Sequence, residues 1–467
     1  MKNILLIICD QLSAQALSAY GNTDSRTPHL DALMARGTRF ATAFSNCPLC
    51  MPSRASFWTG RYPHQTGVLS NGREFPVTPI SSDVPTLGSI FFAAGYQTVH
   101  FGKCHDAGTL RGFDCAEIAR VPVEATDPTL PVNYDTEQDR DATNKIITWL
   151  ARDESRPFFA VADLNNPHDI CNWIGRFEHD PIPPISDPLP ALPTNLHRAE
   201  GEFERLPLPV QYLCCAHNRQ AQIAEWDEHK IRHYLRAYLH YVSRADAEIG
   251  RILAALNARA DAAETLIVFM ADHGDSMGGR WMATKHCTFY EETVRVPLVF
   301  AGPGIAGSGR VAEGLVSLLD LFPTLCDYAG LPIPPGLGGA SLLPQLRGEV
   351  VAPREYVAAE WHTEWGFTIE PGRMIRTPHH KYTHYLESNG EELYDLHSDP
   401  GELRNLATDP AHITVLETHR QILREHAART GDGYFNLTWK AAPRWRSHTP
   451  GYRHHRGPTA PMEVSSR

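Results

Sequence analysis

Five short apolar runs, Asn3–Cys9, Gln97–Phe101, Phe158–Leu164, Leu266–Ala271 and Pro297–Phe300, alternate with segments of helical periodicity. Strands buried on both faces read as continuous apolar runs, and parallel neighbours need helical crossovers between them. The alternation therefore predicts an α/β fold with a large, mostly parallel central sheet flanked by helices. Between the third and fourth runs, Ile231, Tyr234, Leu235, Tyr238, Leu239, Val242, Ile249, Ile252 and Leu253 recur at helical spacing behind Asp227, a natural N-cap. This is a packing helix. Residues 175–210 are proline-rich and aperiodic, and are expected to run over the surface. A second Pro/Gly-rich stretch, from Pro332 to about Ala352, follows the helix-like segment Ser317–Tyr328 and marks a boundary. Beyond it, Tyr356–Glu360, Arg373–Thr377, Lys381–Leu386 and Glu392–Tyr394 read as short antiparallel strands ahead of a helix at Ile413–Arg429. The expected division is a large α/β domain over 1–350, a smaller C-terminal α+β domain over 351–436 and a tail over 437–467.

Composition narrows the function. A formal net charge of −11 argues against a nucleic-acid partner, because neutralising phosphates takes a basic face. An anionic substrate would have to be held by a local cluster of cations. The ten cysteines are scattered without a regular framework, so most are expected to be reduced. The opening Asn3-Ile-Leu-Leu-Ile-Ile-Cys9 lacks the cleavage site of a signal peptide, and no apolar run approaches the roughly 20 residues of a membrane span. The expectation is a soluble, cytoplasmic protein with no membrane partner.

In open parallel sheets, ligands gather at the carboxyl ends of the strands. Four of those ends carry polar residues: Asp10-Gln11, Lys103 with His105, Asn166 with His168, and Asp272-His273. Residues 47–61 read Cys-Pro-Leu-Cys-Met-Pro-Ser-Arg-Ala-Ser-Phe-Trp-Thr-Gly-Arg. The Cys-x-x-Cys pair could be a redox motif or half of a zinc site, although no second pair at metal spacing completes the latter, and Cys50 could be a buried hydrophobe. Pro52 suits the first turn of a helix, which would set Cys50 at a helix N-terminus where unpaired N–H groups favour an anion.

Cys50-Met-Pro-Ser-Arg54 with Thr59-Gly60-Arg61 downstream resembles the signature of the sulfatase family. The resemblance continues through Gly102-Lys103-x-His105, Asn166-Pro167-His168, Ala271-Asp-His-Gly-Asp275, Lys285 ahead of Tyr290-Glu-Glu-x-x-Arg-Val-Pro297, and Glu392-Leu-Tyr-Asp-Leu-x-x-Asp-Pro400. It implies that Cys50 is converted to formylglycine by a formylglycine-generating enzyme. It also implies calcium, with magnesium or manganese as alternatives, held by Asp10, Gln11, Asp272, His273 and residue 50; oxygen donors suit such hard ions. Gln11 and His273 stand where the commoner pattern has aspartate and asparagine, as in the choline-sulfatase and phosphonate-monoester-hydrolase branches. By the same resemblance, Arg54 lies against the hydrated aldehyde, Lys103 and Lys285 bind the sulfate oxygens, His168 protonates the leaving oxygen, and His105 acts as the base that triggers sulfate release.

The expected activity is hydrolysis of a small-molecule or carbohydrate sulfate ester. Hydrolysis of a phosphonate or phosphate ester at the same site, or a silent binding protein whose Cys50 is never oxidised, are the alternatives. His64, Arg111, Trp173, Trp281 and Trp365 are candidate substrate-pocket residues, and a homo-oligomer is compatible with the sequence.

Overall fold

The computed structural model describes residues 2–72, 77–119, 121–122, 127, 129–130, 136–152, 156–177, 180–186, 188–214, 226–285, 288–362 and 370–437. Trp365 and the tail beyond Leu437 lie outside them.

The central sheet is built on β1 (Asn3–Asp10), in which every residue is buried. With no solvent-facing side, this strand tolerates only the unbroken apolar run that its sequence supplies. The sheet also contains β2 (Thr38–Phe44), β3 (Gln97–Gly102), β4 (Phe158–Pro167), β5 (Thr265–Ala271), β6 (Leu298–Ala301) and β7 (Arg310–Ser317). Their order across the sheet is β7-β2-β6-β5-β1-β4-β3, with the two-residue strand Asp114–Cys115 at the β3 edge. β1 runs parallel to both neighbours, with Ile4 opposite Phe159 on one side and Leu266 on the other. β6 is antiparallel to β5 and β2, so the run expected at 297–300 enters the sheet reversed.

Two strands escape the sequence reading. β2 has Arg39 before its first phenylalanine and Ala41-Thr42-Ala43 between the two, and is only partly buried, which leaves no apolar run to recognise. β7 breaks its pattern at Glu313-Gly314, where the register with β2 shifts.

Helix α1 (Cys50–Thr59) follows β2, and α2 (Asp139–Leu150) precedes β4. α3 (Glu228–Asn257) is the packing helix expected from the periodicity, and Asp227 caps it by accepting from the Lys230 N–H at 2.8 Å. Its buried stripe joins the apolar side chains of β1, β4 and β5 in one core. The proline-rich excursion is tied down rather than draped: Arg232 donates to the carbonyls of Leu189 and Pro190, and Asn195 is buried against Glu292.

The C-terminal region forms a separate antiparallel sheet, β8 (Val357–Trp361), β9 (Gly372–Arg376), β10 (His380–Tyr385) and β11 (Glu391–Asp395), in chain order and followed by α4 (Ile413–Thr430). Its position matters for the site. Val357, Ala359, Trp361, Met374 and Tyr385 share an apolar cluster with Phe44, Cys47 and Leu49. The Glu360 N–H donates to the Asn46 carbonyl at 2.8 Å, and Asn46 Nδ2 donates to the Ala358 carbonyl at 3.0 Å. The small sheet thus braces the loop that carries Cys50. Among the described residues no helix is long and apolar enough to cross a membrane, and Cys9, Cys47, Cys50, Cys104, Cys115, Cys171 and Cys326 are free.

Candidate active site

The site begins with how α1 is aimed. β2 ends at Phe44, and the hydroxyls of Ser45 and Ser53 both donate to the Asp272 carbonyl, at 2.7 and 2.6 Å. These bonds pin the start of α1 to the end of β5. Cys50 is the first residue of the helix, preceded by Leu49 in extended geometry and with no capping side chain among the described residues. The electropositive helix end is therefore directed at the Cys50 side chain.

Around Cys50 Sγ stand Lys285 Nζ at 3.1 Å, His273 Nε2 at 3.2 Å, Asp10 Oδ1 at 3.8 Å and Lys103 Nζ at 4.0 Å. His105 and His168 also lie close enough to interact with the thiol. Burial opposes ionisation of Cys50, but Lys103, Lys285 and His273 outweigh it and bring the thiol well below its ordinary range. Burial, then the same Lys285 and Lys103, which disfavour its charged form, also lower His168, to about 4.

Arg54, one turn along α1, is fully buried and spreads its guanidinium over three carboxylates. Nε meets Asp272 at 2.9 Å, Nη1 meets Asp163 at 2.6 Å, and Nη2 meets Asp10 at 3.2 Å. Only a planar fork with several donors can satisfy such a set. Asp163 was not anticipated from the sequence. It lies inside the apolar run of β4 and also accepts from His100 Nε2 at 3.2 Å. An aspartate within an otherwise apolar buried strand was the available signal, since a buried carboxylate must have a cationic partner.

Asp10, Asp272, His273 and Cys50 present donor atoms that all lie within 4.8 Å of one another. The His273 ring is oriented by Nδ1 facing the Gly274 carbonyl at 2.9 Å, which leaves the Nε2 lone pair turned toward the cluster. Burial and the neighbouring Asp10 carboxylate raise Asp272 to about 6, a mutual repulsion that a divalent cation would relieve. Two carboxylates and an imidazole fit such an ion. Gln11 adjoins them in a left-handed conformation, φ 65°. Its N–H donates to Asp272 Oδ1 at 3.0 Å, its amide NH2 donates to Asp275 at 2.8 Å, and its carbonyl accepts from Lys285 Nζ at 2.7 Å. Tyr234 of α3 holds the other Asp275 oxygen at 2.6 Å.

The metal-type donors and the cations are not segregated to opposite sides of Cys50. Lys103 ion-pairs with Asp10, and Lys285 Nζ lies 3.9 Å from it. The lysines bridge both halves because their long side chains converge on the same buried carboxylate.

The candidate pocket residues fare differently. Trp173 is core, packed on Trp226 and Tyr234, with its indole N–H donating to the Thr129 carbonyl. Trp281 is 2% exposed and equally interior. Arg111 uses its guanidinium on the carbonyls of Ile80, Ser81 and Val84, and His64 is bound to Glu360 at 2.6 Å and faces the Thr430 carbonyl. In this structure Trp173 and Trp281 are buried in the interior, and His64 and Arg111 are partly buried with their polar groups bound to the protein. In Trp173, Arg111 and His64 the polar end of an amphipathic side chain is satisfied internally, which sequence alone cannot distinguish from a pocket wall.

Strand ends that bring carboxylates, imidazoles, lysines and an arginine around one thiol at a helix N-terminus are suited to holding and cleaving a tetrahedral anionic ester. That defines a hydrolase acting on such esters. The chain belongs to the sulfatase family: the Sulfatase model matches residues 2–331, and a model for the C-terminal region of N-sulphoglucosamine sulphohydrolase matches residues 279–429. It is a sulfuric ester hydrolase. It is similar to a Δ4,5-hexuronate-2-O-sulfatase of Bacteroides thetaiotaomicron, 45% identical with 98% of this chain and 95% of the relative covered. It is also similar to a choline-sulfatase of Rhizobium meliloti, 31% identical over 87% and 83%. Among solved structures, a 2-O GAG sulfatase superposes with a TM-score of 0.92 at 45% identity, covering 98% of each chain. A phosphonate monoester hydrolase of Agrobacterium radiobacter superposes with a TM-score of 0.76 at 26% identity, over 94% of this chain and 99% of that one.

Proposed function

We propose that this sulfatase removes a 2-O-sulfate from a hexuronate-containing saccharide of the glycosaminoglycan type, after conversion of Cys50 to formylglycine. The observation that carries the reading is the convergence of Lys103, Lys285, His105, His168 and His273 on the Cys50 side chain. The substrate class is supported by 45% identity, over nearly the full length of both chains, to a hexuronate 2-O-sulfatase.

In this reading Lys103 and Lys285 hold the sulfate oxygens and offset the charge that builds on them as the ester bond lengthens. Arg54 keeps Asp10 and Asp272 in place and fixes α1, so that the side chain at 50 faces the sulfur. His168 delivers a proton to the departing sugar oxygen, and His105 takes the proton whose loss releases sulfate. A hydrated aldehyde at 50 supplies two hydroxyls on one carbon, one to attack and one to drive release. Asp10, Gln11, Asp272 and His273 would hold a divalent cation, calcium being the default occupant, which supplies positive charge beside the nucleophile. We further take 1–350 as the catalytic domain and 351–436 as a smaller one, a division supported by the separate four-stranded sheet.

The test has two arms. The mass of the Cys50 peptide, from cells that contain the maturation enzyme, should show the thiol-to-aldehyde change. The matured protein should desulfate a 2-O-sulfated unsaturated disaccharide with far higher kcat/KM than it hydrolyses a phosphonate monoester. Unmodified Cys50, or preference for the phosphonate, would overturn the proposal.

A further inference from the structure

Beside the reaction centre lies a cluster that the sulfatase reading does not use. His100 of β3, Cys104 just beyond that strand and Cys115 of the edge strand present donor atoms that all lie within 4.8 Å of one another. The topology makes this meeting local. His100 and Cys115 are register partners on adjacent parallel strands, and the chain returns past them four residues on, where Cys104 Sγ comes to 3.8 Å from His100 Nδ1. Both cysteines are exposed and free, whereas His100 is fully buried.

The imidazole is pre-set as a ligand. Its Nε2 faces Asp163 Oδ2 at 3.2 Å, so the carboxylate accepts a hydrogen bond from Nε2–H and the Nδ1 side turns to the sulfurs. A carboxylate behind a histidine is the arrangement that orients metal-binding imidazoles and raises their basicity. Two thiols and one imidazole are soft and borderline donors that select a zinc-like ion over the hard cation suited to Asp10 and Asp272. Bonds of about 2.3 Å to sulfur and about 2.1 Å to nitrogen set tetrahedral donors roughly 3.5–4 Å apart, which needs only small side-chain adjustment here.

We propose that His100 Nδ1, Cys104 Sγ and Cys115 Sγ form a second metal site that takes Zn2+ or a similar thiophilic divalent ion, with its fourth position open to solvent. Before metal enters, the neighbouring Cys115 and His100 bring the Cys104 thiol to about 5, while burial lowers His100 but Asp163 outweighs it and raises it to about 9. The free site is thus a thiolate–imidazolium pair. Metal entry forms two bonds to sulfur and one to nitrogen, while the Nδ1 proton and the Cys115 proton pass to solvent.

The location gives the ion a structural consequence. Cys104 sits between Lys103 and His105, and Asp163 links His100 to Arg54. Bound metal would tie the segment bearing both reacting groups to the sheet edge.

Co2+ is a suitable probe, because thiolate ligation in a tetrahedral site gives it a sulfur-to-metal charge-transfer band and intense visible bands, where oxygen ligation gives only weak visible absorption. The full chain carrying Cys50→Ala, which removes the active-site thiol, would be reduced, stripped with chelator and titrated with Co2+. We expect thiolate bands that saturate at one ion per chain, bleach on adding Zn2+, and vanish in the added Cys104→Ser or Cys115→Ser background. Zn2+ should also protect Cys104 and Cys115 from alkylation, read by peptide mass. Absence of the bands in the reduced chain, bands that persist in both serine variants, or a Cys104–Cys115 disulfide that forms equally fast with Zn2+ present would each overturn the proposal.

Discussion

Asp163→Asn tests the buried charge network that holds the site together. Asp163 Oδ2 meets Arg54 Nη1 at 2.6 Å and His100 Nε2 at 3.2 Å, in a position 1% exposed. Asparagine keeps the shape and one acceptor oxygen but removes the charge. The loss is bounded below by a charge-assisted hydrogen bond, about 1.5–3 kcal/mol. It is bounded above by removal of one partner from a buried ion pair, about 3–5 kcal/mol. Arg54 retains Asp10 and Asp272, so the lower part of the joint range applies, about 3 kcal/mol. For a chain of this length, unfolding entropies of about 2 cal/mol/K per residue convert that to a fall in Tm of about 3 °C. Asp163→Leu, which leaves both cations without this partner, should cost more. Thermal unfolding followed by circular dichroism would measure the shifts, at one fixed metal concentration because bound ions move Tm by mass action. If Asp163→Asn melts with the parent, the three-carboxylate fork on Arg54 is not a stabilising network and the argument fails.

Cys50→Ser should react once and stall, because a single hydroxyl can attack but has no geminal partner to expel sulfate; its residue-50 peptide gains a sulfate adduct that Cys50→Ala never shows, and sustained turnover by the serine variant would disprove the two-hydroxyl requirement. Lys285→Met should lower kcat by roughly two to three orders of magnitude, the scale of losing one preorganised electrostatic contact to the transition state; a change under threefold in steady-state assays would remove Lys285 from its role. His64 responds to pH: burial lowers its pKa, but Glu360 and Asp432 win and raise it, with Arg373 also facing Glu360. Its contribution to stability is therefore full below the ordinary histidine value of about 6.5 and is lost as pH rises through the folded value. The Tm difference between parent and His64→Gln should shrink from mildly acidic to alkaline buffer, and a constant difference would refute the ion pair. Finally, chelation should lower both Tm and activity, with calcium restoring them; protein that melts unchanged after chelation would argue against a resident ion at Asp10 and Asp272.

The sequence alone determined the α/β class, because β1 and β5 are buried on both faces and burial on both faces demands unbroken apolar runs. It determined α3 and its Asp227 cap, which are local periodicity and local hydrogen bonding. It also picked out most of the residues that meet at Cys50, since residues at the carboxyl ends of parallel strands converge by topology. What it could not supply depends on side chains distant along the chain. β2 and β7 are held by neighbours rather than by their own composition, and the small sheet braces the Cys50 loop through contacts some 300 residues apart. Whether a tryptophan or histidine lines a pocket or fills a core depends on where its polar end finds a partner, and Trp173 and His64 find theirs inside the protein. Asp163 is the sharpest case. One charged residue in an apolar strand signals in sequence only that some partner is needed, and only the tertiary structure sets Arg54 on one side of it and His100 on the other, joining the reaction centre to the Cys104–Cys115 edge.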